Sequence, residues 1–278
     1  MSERATAKSK TASTTPILTV TDGRALVRLN RPAEHNRIEP ADLAALIEIF
    51  DRVDRDAAVR VLVLTGTGKS FSSGFHIGAL VARKQGAERK QASGAGAASE
   101  HDPDAFEKTV DRLEALRVPT IAALNGGVYG GSTDLALACD FRIGVPAMKM
   151  FMPASRLGIV YYPSGLRRYV TRLGLAAAKK LFLTAQPMET DELLRIGYLD
   201  EVVAADALMA RVDVLSGQIS ANAPLSLAGH KKALNEVAAG KLDLEALAKI
   251  RRNCGASDDH KEALAAWAAK RTPVFTGR

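Results

Sequence analysis

Two glycine-bearing segments are the residues best placed to do chemistry. Phe71-Ser-Ser-Gly74-Phe75-His76 follows the apolar run Val59 to Leu64, and Asn125-Gly-Gly-Val-Tyr-Gly-Gly131-Ser-Thr-Asp134 follows Thr120 to Ala123. In each, glycine lets backbone N–H groups face a ligand. Two such turns converging on one point would supply a pair of amide donors for a developing oxyanion, often the largest single contribution to acyl-group catalysis. Thioester or carbonyl chemistry is the implication.

Other chemistries fit the sequence less well. Gly66-Thr-Gly-Lys69-Ser70 has the close of a phosphate-binding loop, but Val63 stands where that loop needs its first glycine. The histidines at 35, 76, 101, 230 and 260 show no metal-ligand spacing, and no carboxylate cluster accompanies them. No metal site is implied. Cys139 and Cys254 are the only cysteines, so neither a disulfide framework nor a thiolate site is expected. A reducing cytoplasm fits that usage.

The elements that must position the two turns can be read from periodicity. Ile17 to Val20 and Ala25 to Leu29 flank Thr21-Asp-Gly-Arg24, a hairpin signal. Pro40 to Asp56 carries Leu43, Leu46, Ile47, Phe50 and Val53 at helical spacing, and Val59 to Leu64 reads as a buried strand. A second cycle follows: helix from Asp104 to Leu116, strand from Thr120 to Ala123, helix from Ser132 to Ala138, strand from Asp140 to Val145. These predict an α/β protein with a repeating β-β-α layered core. The polar N-terminal residues 1–15 read as a disordered tail, and Ala82 to Asp102, poor in large apolar groups, as a mobile segment suited to a lid. The core is expected over 16–205, with an alanine-rich helical region over 206–278.

The 278 residues suffice for a substantial core, and no apolar stretch reaches the roughly 20 residues of a membrane span. The formal charge of +7 is spread along the chain without an aromatic-interleaved basic run, which argues for an anionic small molecule rather than nucleic acid.

Together the two glycine segments, Asn30-Arg31-Pro32, Cys139-Asp140, Pro224-Leu225 ahead of Lys231-Lys232, and the closing Pro273-Val-Phe275-Thr-Gly-Arg278 resemble the crotonase (enoyl-CoA hydratase/isomerase) superfamily. The resemblance runs from about Ile17 to the C-terminus. It implies a β-β-α spiral core, a C-terminal helical trimerisation region, and assembly as a homotrimer or hexamer. It also implies an acyl-CoA substrate, with coenzyme A entering as part of the substrate and no separate cofactor. The N–H groups of Phe75 and Gly131 would hold the thioester carbonyl and stabilise an enolate. Coenzyme A would lie near Arg31 to Arg37, with Lys231 as a further candidate and Lys270 or Phe275 of a neighbouring helical region reaching its phosphates or adenine.

The acids depart from the family pattern. Of the two glutamates of hydratases, the first position falls on Asp134 and the second on Ala154, which moves no proton. Asp134 is therefore the expected main acid or base, with Tyr162 (or its neighbour Tyr161) and His76 as substitutes for the missing partner. Asp134 equally suits a helix N-terminus for dipole reasons, and the tyrosines equally suit packing. Hydration or isomerisation of an enoyl-CoA, carbon–carbon cleavage or decarboxylation of an acyl-CoA, and acyl-CoA binding with weak turnover all remain compatible with these residues.

Overall fold

The computed structural model describes residues 14–76, 102 and 104–278. All but the last two residues of the expected tail, and all but Asp102 of the expected lid, lie outside them.

The chain winds as a spiral in which each turn contributes one strand to a large sheet and one extended segment to a smaller layer. Strands β1 (Ile17–Thr21) and β2 (Arg24–Leu29) form the expected hairpin, antiparallel from Ile17 opposite Arg28 to Thr21 opposite Arg24. Its turn places Asp22 and Gly23 at positive φ. Helix α1 (Pro40–Arg55) then returns the chain to β3 (Val61–Gly66), which pairs parallel with β2. Helix α2 (Ala105–Glu114) leads to β4 (Thr120–Leu124), parallel to β3. After β5 (Val128–Tyr129) and α3 (Ser132–Leu137), β6 (Phe141–Gly144) pairs parallel with β4. The two-residue strand β9 (Glu201–Val202) closes the sheet order β1-β2-β3-β4-β6-β9.

The second layer repeats the same order. Ile38 bridges Phe75, Ser72 bridges Val128, Val128 pairs with Met150 in β7 (Lys149–Phe151), and Met150 pairs with Met188 in β8 (Met188–Glu189). Every side chain from Val61 to Leu64 and from Ile121 to Leu124 is buried, as in a parallel sheet covered on both faces. Leu43, Leu46, Phe50 and Val53 of α1 cover one face at the helical period read in the sequence.

Helices α4 (Pro163–Leu173), α5 (Leu175–Lys179) and α6 (Thr190–Arg195) complete the core. Helices α7 (Leu208–Ser220), α8 (Pro224–Ala238), α9 (Leu244–Ala256) and α10 (Asp258–Ala268) follow. Both glycine segments leave the sheet at the carboxyl ends of adjacent parallel strands β3 and β4, the edge where ligands of such sheets bind. Among the described residues no helix is long and apolar enough to cross a membrane.

Candidate active site

The two turns are stitched together by backbone and hydroxyl groups. Phe71 N donates to Gly127 O at 3.1 Å and Tyr129 N to Ser72 O at 3.0 Å. Ser132 Oγ donates to Ser72 O at 3.0 Å, and Ser72 Oγ donates to Asn36 O at 2.7 Å while accepting from Gly74 N. Buried Asn36 spans Thr67 O and Ser70 O with its amide nitrogen and receives Arg31 N on its oxygen. Around this frame Ile38 N takes Gly74 O and His76 N takes Ile38 O, while Gly130 N takes Phe151 O. Among the described residues neither Phe75 N nor Gly131 N has an acceptor. These are the two amides singled out in the sequence.

Gly74 is required by two features at once. Its φ is +91°, and a Cβ there would lie 2.4 Å from Tyr129 O and 3.3 Å from Gly131 N. The same distances show how closely the two donor segments approach. Gly74→Ala should destabilise the fold by about 1–3 kcal/mol through backbone strain, read as a lower denaturant midpoint. It should also weaken the amide pair, read as a raised KM for a thioester substrate.

Asp134 sits in the first turn of α3, fully buried, and both its oxygens are occupied. Arg168 on α4 grips it with Nε to Oδ1 and Nη2 to Oδ2, each 2.9 Å, and the Tyr162 hydroxyl donates to Oδ2 at 2.5 Å. The sequence places a free acid or base here; the structure places a carboxylate locked in a forked ion pair. Arg168 is itself fully buried, with Nη1 bound to Asp111 Oδ1 at 2.7 Å and Glu114 Oε2 at 3.1 Å. Glu114 also receives Arg167, and Arg172 at 3.1 Å. Burial and the Asp134 charge push the Tyr162 phenol well above its ordinary range, so it is a neutral hydroxyl. Burial does the same to Tyr161, whose hydroxyl donates to Tyr162 at 3.3 Å and whose ring stacks on it at 4.2 Å.

Phe106 joins the parts. Its ring lies 5.6 Å from the Phe75 ring and 6.2 Å from the Tyr162 ring, and a Cβ on Gly131 would be 2.7 Å from its Cζ. Buried Ala154 opens the turn after β7, whose Phe151 O holds Gly130, so no carboxylate stands there.

The remaining candidates are bound to protein groups. His76 Nδ1 meets Glu39 Oε2 at 2.9 Å, and Glu39 Oε1 accepts from Arg37 Nε at 2.7 Å. Although burial pulls the other way, the bonds from His76 and Arg37 hold the Glu39 carboxyl below its usual range. Arg37 also pairs with Glu34 at 2.5 Å, and Arg31 forks onto Asp42 at 3.1 Å through two nitrogens. A coenzyme A phosphate near Arg31 or Arg37 would have to compete with these carboxylates.

One expected contact is corrected. Lys231 is buried, its ammonium bonded to Val118 O at 2.9 Å and Asp140 Oδ2 at 2.8 Å. It fastens α8 to the segments just before β4 and β6, its ammonium taken by two protein oxygens. Phe275 O accepts from Arg60 at 3.4 Å, just before β3 begins, whereas Arg31 follows the end of β2.

Arg168, Asp111, Glu114, Phe106 and Asn36 were not singled out in the sequence. One signal was available: Arg168 and Arg172 lie one turn apart on a helix, as do Asp111 and Glu114 on another, a complementary pattern for facing helices.

With this geometry in view, similarity to known proteins is specific. The chain is 31% identical over 259 residues to crotonyl-CoA hydratase of Syntrophomonas wolfei, covering 91% of this chain and 95% of that protein. It is 31% identical over 250 residues to short-chain-enoyl-CoA hydratase of Clostridium acetobutylicum, covering 89% and 92%. The crystal structure of an enoyl-CoA hydratase/carnithine racemase from Magnetospirillum magneticum superposes with a TM-score of 0.84 at 28% identity, over 96% of this chain and 97% of that one. The enoyl-CoA hydratase/isomerase family model matches residues 20–278, and the chain belongs to that family.

Proposed function

We propose that the protein turns over an acyl-CoA by forming a thioester enolate in the hole between Phe75 N–H and Gly131 N–H, with Tyr162 as the group that carries the proton. The observation that carries this reading is the chain Tyr161, Tyr162, Asp134, Arg168, joined through the Phe106 ring to two amides that have no acceptor among the described residues. Enolate charge developing on the thioester oxygen is met by fixed dipoles in a site walled by aromatic rings, where they act strongly. Water adds to the β-carbon of a 2-enoyl thioester, and the C=C pair moves onto the thioester oxygen. The neutral Tyr162 hydroxyl rotates from Asp134 and gives its proton to the α-carbon, and the proton shed by the added water restores the phenol through Tyr161. Asp134 is a positioning residue in this scheme, held by Arg168. Short-chain enoyl-CoA esters are the first substrates to test, since two relatives are named for crotonyl-CoA and short-chain enoyl-CoA. Incubation with crotonyl-CoA and 3-butenoyl-CoA in D2O should yield product deuterated at carbon; complete absence of turnover would refute the reading.

A second reading is favoured by one feature. Among the described residues that touch Tyr162, the only carboxylate is fully occupied and the phenols are acids rather than bases. Such a site suits an enolate generated by breaking a carbon–carbon bond: a 2-carboxyacyl-CoA loses CO2, the bonding pair stays on the α-carbon, and Tyr162 protonates it. Release of CO2 from malonyl-CoA in D2O with deuterium incorporated at the α-carbon would select this reading over the first.

Assembly into a homotrimer or hexamer is supported by apolar side chains left exposed on the last helices, Leu234, Val237, Leu244 and Trp267 among them. Light scattering is expected to give a mass three or six times that of the chain.

A further inference from the structure

We propose that Phe106 sets the acyl-chain length this site accepts, capping the pocket over the two amide donors; this deepens the reading just given and rests on it. A thioester whose oxygen meets Phe75 N–H and Gly131 N–H, and whose carbon approaches Tyr162, has to lie against whatever touches all three. Phe106 does so, with its ring 5.6 Å from Phe75, 6.2 Å from Tyr162 and packed on the bare Cα of Gly131. No smaller distance is open to a side chain at 131, since a single methyl there would overlap the ring.

The ring is a fixed wall. Phe106 is the second residue of α2, and that helix is tied along its length to α4: Glu107 Oε1 accepts from Ser164 at 2.9 Å, Asp111 from Arg168 at 2.7 Å, and Glu114 from Arg168 and Arg172, each at 3.1 Å. Swinging the helix outward would strand buried Arg168, so acyl length is limited by the ring itself. The acyl class that fits is short and apolar, because among the described residues the groups at this end are Phe75, Phe106, Tyr161 and Tyr162, and the Arg168 guanidinium is consumed by carboxylates.

The test is a ladder of saturated esters, butyryl-, hexanoyl- and decanoyl-CoA, bound to wild type, Phe106→Leu and Phe106→Ala and read as Kd by calorimetry. Saturated esters report fit without requiring turnover. Wild type should bind butyryl-CoA more tightly than decanoyl-CoA. Removing the ring should improve decanoyl relative to butyryl by tenfold or more, since each newly buried methylene is worth roughly fourfold. Phe106→Leu, which keeps apolar packing, should fall between. An unchanged ratio in both variants, or wild type already preferring decanoyl-CoA, overturns the inference. A ladder that shifts as expected while no ester is ever turned over supports Phe106 as the wall and refutes the proposed reaction instead. No binding of any ester to wild type overturns both.

Discussion

Tyr162→Phe is expected to lower kcat on a productive acyl-CoA by about 10²–10⁴-fold, the range of a lost general acid, with Kd for the ester changed little. The variant removes one oxygen, whose partners are Asp134 and Tyr161, and keeps the ring packing against Phe106 and Tyr161. Asp134→Asn separates this account from the sequence expectation. An asparagine oxygen still accepts from Tyr162, so a positioning role predicts a smaller loss in kcat than Tyr162→Phe causes. A direct acid or base at 134 predicts the reverse order. The pH profile supplies an independent reading. Burial and the neighbouring carboxylate raise the phenol, so its protonated form persists above the ordinary tyrosine range, and kcat should show no alkaline decline before about pH 10. A decline centred nearer neutrality would refute Tyr162 as the proton carrier.

How much of this was legible in the sequence follows from the range of each interaction. The strands and the two amide-bearing turns were readable because glycine and apolar periodicity are local signals: Gly74 needs its positive φ, and β3 and β4 are buried on both faces. The fate of Asp134 was not readable, because it depends on Arg168, thirty-four residues away on another helix. Lys231 failed for the same reason. Next to Lys232 it reads as an exposed basic pair, but the helix turns it inward to Asp140 and Val118, more than ninety residues earlier. The Cys139-Asp140 pair that helped carry the family resemblance is likewise structural: Asp140 clasps Thr120 through its amide and hydroxyl, and burial pushes the Cys139 thiol up to about 12. Phe106 was hidden because a lone aromatic in a first helical turn has no spacing partner.

The largest stability effect should come from Arg168→Met, with a loss of about 3–5 kcal/mol, the cost of breaking one side of a buried ion pair. Arg168 is fully buried and serves Asp134, Asp111 and Glu114 together. Methionine of similar length leaves Asp134 fully buried and without a counter-ion, whereas Asp111 is half-exposed and Glu114 keeps Arg167 and Arg172. Most of the penalty should therefore trace to Asp134. The double variant Arg168→Met with Asp134→Asn tests that assignment, because a neutral amide at 134 removes the stranded charge. Urea unfolding should show the double variant more stable than Arg168→Met alone, with a coupling of about 1–3 kcal/mol. Additive losses would mean that the pair does not act as a unit, and would also remove the basis for treating Asp134 as the anchor of Tyr162. The kinetic counterpart discriminates further: Arg168→Lys keeps the charge but not the fork, so it should retain most of the stability while lowering kcat, since a single ammonium cannot hold both Asp134 oxygens in the orientation that presents one of them to the phenol.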